Sequence, residues 1–337
     1  MTTIPEHDAR ILANAAVEQV VTSRTAPRRQ RRPRRAKGPS IRSLAATPVH
    51  RHDGRLAWLL ITPAAVGFLV FAAYPLVRGV YLSFTSFHVL TAPVWTGLAN
   101  IRELLQDDTF WSSLGVTVYF VLLSVLIGMV LSLVTAVVLH RLTSSTVIRG
   151  LIILPFLISG VIAGLVWSWM LDTQLGIVNN VLEKLTGHPV LFLGSTSWAV
   201  PTVALISVWK SMGYNAILLF AGLQVIPADV YEAARLDGAG EVQMFRRITI
   251  PLLRPILVMV VILTVIGSFQ VFDIVQVTTA GGPANASMVL QMYIYNKAFT
   301  QFDFGYAATM SLALFVMLIA ITFMQMRLAR ANETDTD

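Results

Sequence analysis

Six apolar runs constrain what this chain can fold into more than any motif does. They extend approximately over Leu56–Val77, Val116–Leu139, Val147–Leu171, Val203–Leu223, Ile256–Val277 and Ala307–Met326. A helix that crosses the hydrocarbon core needs about 20 mainly apolar residues. Backbone groups find no water there, so each run is expected to be a helix, giving an all-α integral membrane protein with six transmembrane helices. Only 13% of the 337 residues are charged, against about a quarter in a soluble domain. Cysteine is absent, which excludes disulfides and thiolate metal sites.

The net charge of +7 is concentrated in one tail: residues 1–55 hold 12 Lys/Arg against 4 acids. Its densest part is RRQRRPRRAK, Arg28–Lys37. Few apolar residues interleave these arginines, so a disordered cytoplasmic extension is expected and not a nucleic-acid-binding module. The leader is also too long for a signal peptide. With the N-terminus inside, inner segments carry 20 Lys/Arg and outer segments 4, or 8 to 4 without the tail. Both termini are therefore expected in the cytoplasm. The chain divides into the extension 1–55, a six-helix domain 56–328 and a cytoplasmic tail 329–337. Short outer-surface helices are expected at Asn100–Trp111 and in LGIVNNVLEKLTGHP, the latter ended by Gly187 and Pro189.

Catalytic signatures are missing. The chain has no GxxxxGK[ST], HExxH, GxSxG or GxGxxG, and its six histidines are scattered. No enzyme, cofactor or metal site is expected. Intramembrane ionisable groups are few: Lys210, Asp273 and, near a helix end, Asp172. That gives little basis for an ion-coupled secondary transporter. Lys210 is a candidate to snorkel to an interface.

The largest inner loop, residues 224–255, reads as a two-helix hairpin. Asp229 is a candidate N-cap with Glu232 three residues later, as in a capping box. Asp237-Gly238 marks a break. A second helix is expected from about Gly240 to Arg247, ended by Pro251 and Pro255. Four acids (Asp229, Glu232, Asp237, Glu241) balance four arginines, whereas a loop meant for anionic lipid would be purely basic. From these residues alone, a connector between spans and a protein-docking element both remain open.

The order EAARLDGA at 232–239, Phe245, Ile248, Pro251 and Pro255 resembles the EAA loop of permease subunits in bacterial binding-protein-dependent ABC importers. The similarity extends through LPFLISGVIAGLVWSWML at 154–171 and FQVFDIVQVTTAGGP at 269–283. It is strongest to the first of the two paired permeases of maltose- and glycerol-phosphate-type systems. Departures are Ala280 in place of a third glycine, Ile250 in place of leucine, and Gly115-Val116-Thr117 where Arg-Asn-Thr is common. The resemblance implies the type I importer permease fold in a bacterial inner membrane. It also implies a second permease, two ATPase subunits that bind ATP and Mg, and an extracytoplasmic binding protein or lipoprotein. The coupling residues it implies are Glu232, Ala233, Ala234, Asp237, Gly238, Ala239, Phe245 and Pro251. A sugar is the implied solute, with glycerol-3-phosphate or a glycerophosphodiester as the alternative. Tyr214, Asn215 and Gln270 are the candidate pathway contacts, being polar or aromatic groups within apolar spans.

Overall fold

The structure, a computed structural model, describes residues 51–89, 91–142 and 145–331. The arginine-rich stretch Arg28–Lys37 and the end of the C-terminal tail lie outside the described residues. The chain separates into two units, Met1–Val66 and Gly67–Asp337. Helix α1 is Arg51–Phe68, followed by a π-helical turn, Leu69–Ala73, and α2, Tyr74–Leu82. Next come a two-stranded hairpin, β1 Thr85–Ser86 and β2 Val94–Trp95, and α3, Ala99–Gln106. Helices α4 (Asp108–Leu142), α5 (Thr146–Leu157), α6 (Gly160–Met170), α7 (Ile177–Thr186) and α8 (Ala199–Gln224) follow. Helices α9 (Ala228–Leu236) and α10 (Glu241–Met244) form the inner hairpin. They lead through a π-helical turn, Phe245–Thr249, into α11, Ile250–Phe269. The chain closes with α12 (Asp273–Thr278), α13 (Leu290–Tyr295), a further π-helical turn and α14 (Phe304–Ala331).

Among the described residues five helices are long and apolar enough to cross a membrane, and six crossings result if the pair α5 and α6, bent by 92°, is counted as one broken span. The third apolar run is therefore not one straight helix. Pro155 lies in the last turn of α5, where it cannot donate a hydrogen bond. Ile158 and Ser159 are extended, and Ser159 Oγ then caps α6 by accepting from the Val161 N–H at 3.2 Å. The fifth run is also interrupted. Helix α11 stops at Phe269, Phe272 takes a non-helical conformation, and α12 restarts at Asp273.

The packed centre is α4 against α8. Ser124, Gly128, Ser132 and Ala136 are buried on α4 at four-residue spacing, the small-residue stripe that lets membrane helices approach closely. Ser132 Oγ donates to the Met212 carbonyl across this contact, at 3.2 Å. Gly213 brings α8 so near the Ile152 carbonyl that a Cβ there would collide with it. Many other apolar side chains remain exposed, such as Leu126 at 65% and Val130 at 63%, as a bilayer-facing surface requires.

Asn100–Trp111 is not one outer helix. Helix α3 stops at Gln106, Asp107 breaks the chain, and Trp111 belongs to α4. The reason is the Asp107 carboxylate. Its Oδ1 accepts from the Thr109 and Phe110 N–H groups, capping α4, at 2.9 and 3.2 Å. Its Oδ2 accepts from the Tyr293 and Tyr306 hydroxyls at 2.7 and 2.6 Å, joining α4 to α13 and α14. Lys297 Nζ lies 5.7 and 5.1 Å from the centres of those two rings. Burial opposes the charge on Asp107, but the two tyrosine hydroxyls and then the two amides outweigh it, and the carboxyl lies below its usual range. Burial and the same carboxylate push the Tyr293 phenol up. The second outer helix, α7, ends as expected at Gly187, which has φ 84°.

Because Asp107 titrates lower folded than unfolded, its stabilisation is complete above pH about 4 and is lost as pH falls through the lowered folded value. Asp107→Asn is expected to cost about 2 kcal/mol by weakening charge-assisted bonds, and to flatten the acid limb of thermal stability measured in nanodiscs. An unchanged acid limb would place the acid sensitivity elsewhere.

Candidate functional site

Both interruptions of the membrane helices open onto one cavity of about 350 Å³. Phe156 and Gly160 flank the α5–α6 break, and Gln270 to Asp273 form the α11–α12 break. Non-helical backbone at membrane depth is tolerated where it lines a cavity or is covered by protein. The third wall is α8, whose Ser207, Lys210, Ser211 and Tyr214 follow the i, i+3, i+4, i+7 spacing of one helix face. Tyr214 stacks parallel on Phe156, with ring centres 4.3 Å apart and planes 11° apart. Lys210 Nζ lies 5.3 Å from the centre of the same Phe156 ring. Asn215 Nδ2 donates to Thr264 Oγ1 at 3.2 Å, tying α8 to α11 at the cavity wall.

The three expected pathway residues, Tyr214, Asn215 and Gln270, thus line the same space. Thr309, Trp167 and Trp209 do not. Thr309 donates to the Ser83 carbonyl at 2.8 Å, and Trp167 packs edge-on against Trp209. Asp172 lies at a turn, where its carboxylate accepts from the Leu175 and Gln174 amides, and those bonds lower its pKa. Phe156 was not foreseen. An aromatic in an apolar run looks like packing, and only the neighbouring Pro155 hints at a bend.

At the inner end, α9 and α10 form the hairpin, with two corrections. The residue at the N-cap of α9 is Pro227, and no side chain caps the helix, so Asp229 and Glu232 do not form a capping box. Pro251 and Pro255 do not end the second hairpin helix, which runs on as one span, Glu241–Phe269, of 29 residues. The π-helical turn explains why. The Ile250 N–H bonds to the Phe245 carbonyl five residues back, and the widened turn accommodates Pro251 in the first turn of α11. Gly238 has φ 79° and ends α9, with Gly238 N–H on the Arg235 carbonyl (3.0 Å) and Ala239 N–H on the Ala234 carbonyl (2.9 Å). These two bonds define a Schellman cap, which the sequence anticipated from Asp237-Gly238.

The hairpin is braced from behind. Arg141, at the end of α4, pairs with Glu241 at 2.6 Å, and Arg235 approaches the same carboxylate at 3.6 Å. Tyr231 and Thr249 hydroxyls share a hydrogen bond of 3.0 Å, and Met244 is buried. Around the turn, however, Leu236 is 89% and Val242 72% exposed. Glu232, Ala233, Asp237 and Gly238 are exposed beside them.

A multi-pass helical body with a cavity at its broken helices and a braced, exposed inner hairpin defines a membrane transport subunit. Residues 124–334 match the family described as binding-protein-dependent transport system inner membrane component. The chain belongs to this family, the non-catalytic permease component of ABC importers. It is 31% identical over 284 residues to the sulfoquinovosyl glycerol transport system permease protein of Agrobacterium fabrum, covering 83% of this chain and 92% of that one. It is 32% identical over 280 residues to the trehalose/maltose transport system permease protein of Thermococcus litoralis, covering 82% and 95%. Among solved structures, a bacterial ABC transporter involved in import of the acidic polysaccharide alginate superposes with a TM-score of 0.73 at 23% identity, covering 83% of this chain and 96% of that chain. That likeness shows the type I importer permease fold, with several apolar helices crossing the inner membrane.

Gly238→Asp places a side chain where φ is 79°, a conformation that costs an L residue about 1 kcal/mol or more. It is expected to abolish ATP-driven uptake while leaving membrane insertion intact, and a bulky residue at Ala234 should do the same. Labelled-solute uptake beside a membrane-fraction blot checks both halves.

Proposed function

We propose that this chain is one of two paired permeases of a carbohydrate importer, with both termini in the cytoplasm. Solute reaches it from an extracytoplasmic binding protein, and two ATPase subunits, binding ATP and Mg, drive it from inside. The observation that carries this reading is the exposed apolar pair Leu236 and Val242 flanking the Gly238 turn on a charged hairpin. Water would not favour such a surface and lipid would not favour its charges, whereas a groove on a partner protein suits both. Glu232 to Ala234 and Asp237 to Ala239 would enter that groove, with Phe245 and Pro251 shaping the exit into α11.

The unbroken span Glu241–Phe269 supplies the transmission. At 1.5 Å per residue it is about 43 Å long, with the hairpin at one end and Gln270 at the cavity on the other. Nucleotide-driven movement of the hairpin would therefore be delivered as a rigid displacement of the cavity wall. Tyr214, Asn215 and Gln270 would hold a sugar through hydrogen bonds beside the Phe156–Tyr214 stack. The sugar class is supported by what the named relatives carry.

Purified from its native membrane in mild detergent, the tagged chain is expected to bring down an ATPase and a second permease. Uptake should require ATP and fall several-fold in Asn215→Ala, by loss of a buried polar partner. A chain that purifies alone and transports on an ion gradient would overturn the proposal.

A further inference from the structure

Lys210 brings a positive charge to the cavity and has no paired carboxylate among the described residues. It is residue 210 of a helix spanning 199–224, which places it about 16 Å from one end and about 21 Å from the other. That is farther than a lysine stem reaches to either end of α8. Among the described residues no carboxylate lies within 4.0 Å of its ammonium. Its recorded partner is the Phe156 face, which covers one side and accepts none of its N–H bonds.

Asp273 lines the same cavity with the opposite sign, farther than ion-pair distance from Lys210. It stands in the first turn of α12 and against the first residue of α6, where a Cβ on Gly160 would lie 3.2 Å from Asp273 Oδ2. Carboxylates are favoured at helix N-termini, and cations are not. One turn on either side of Lys210, Ser207 and Tyr214 line the same cavity, so the cation borders this space beside an aromatic stack.

We propose that Lys210 is a specificity residue that holds an acidic group, a carboxylate or a phosphate, of a carbohydrate solute during passage. The inference rests on the reading of this cavity as the solute pathway. An uncharged sugar would leave the ammonium facing a hydroxyl of little complementary charge. An anionic one forms a charge-assisted hydrogen bond in a site of reduced dielectric.

The test uses the full importer with its own partner subunits, reconstituted in proteoliposomes. ATP-driven uptake is measured for maltose, digalacturonate and glycerol-3-phosphate, in wild type, Lys210→Met, Lys210→Arg and Asn215→Ala. Wild type is expected to take up at least one acidic probe, and which one tells carboxylate from phosphate. Lys210→Met should lower that uptake about tenfold or more, while Lys210→Arg keeps most of it. Wild-type uptake of neither acidic probe overturns the proposal. So does acidic uptake unchanged in Lys210→Met, or an equal loss on every probe without rescue by arginine. If Asn215→Ala changes no uptake at all, the pathway reading itself fails, separately from the charge of the solute.

Discussion

Hydrocarbon offers a peptide group no hydrogen-bond partner, and most of this structure follows from that. The chain crosses as helices because only helices satisfy their own backbone in lipid. Where it leaves the helix at membrane depth it does so twice, at Ile158–Ser159 and at Gln270–Phe272, and both breaks border the same cavity. The polar backbone released there, together with Asn215, Lys210 and the Phe156–Tyr214 stack, lines the space proposed to receive the solute.

The rest of the fold holds this space between two fixed ends. At one end the Asp107 carboxylate gathers the start of α4, α13 and α14 into one hydrogen-bonded knot. At the other end the hairpin is braced through Arg141 and Glu241, and its second helix is continuous with α11. Individual ion pairs this exposed contribute little to stability, so the value of the Arg141 contact lies in setting the direction of the hairpin. One continuous helix thus links the hairpin to the cavity wall, and a helix transmits displacement better than a loop would.

Much of this was legible in the sequence, for identifiable reasons. Length and apolarity reveal spans because the bilayer imposes both. The Gly238 turn was legible because a left-handed residue after Asp237 has few alternatives. The breaks were not legible, since Val147–Leu171 is mainly apolar, Ser268, Gln270 and Asp273 in Ile256–Val277 read as side-chain signals, and hydropathy has no term for backbone direction. Pro251 and Pro255 misled for a related reason: a proline near the start of a helix, after a widened turn, costs little. Asp229 looked like a cap, but Pro227 already held that position in extended conformation. Among the pathway residues, Tyr214, Asn215 and Gln270 stood out as polar groups in apolar runs, whereas Phe156 acquires meaning only once Tyr214 and Lys210 are seen against it.

The central claim is that energy enters through the exposed turn of the inner hairpin. The absence of cysteine from the chain makes a direct measurement available, because Leu236→Cys introduces a single thiol at that turn. Bifunctional thiol cross-linking in native membranes should join the chain to an ATPase subunit, with a yield that changes when ATP is supplied. A thiol that stays fully reactive toward a soluble maleimide and joins no partner, with or without ATP, would contradict the account.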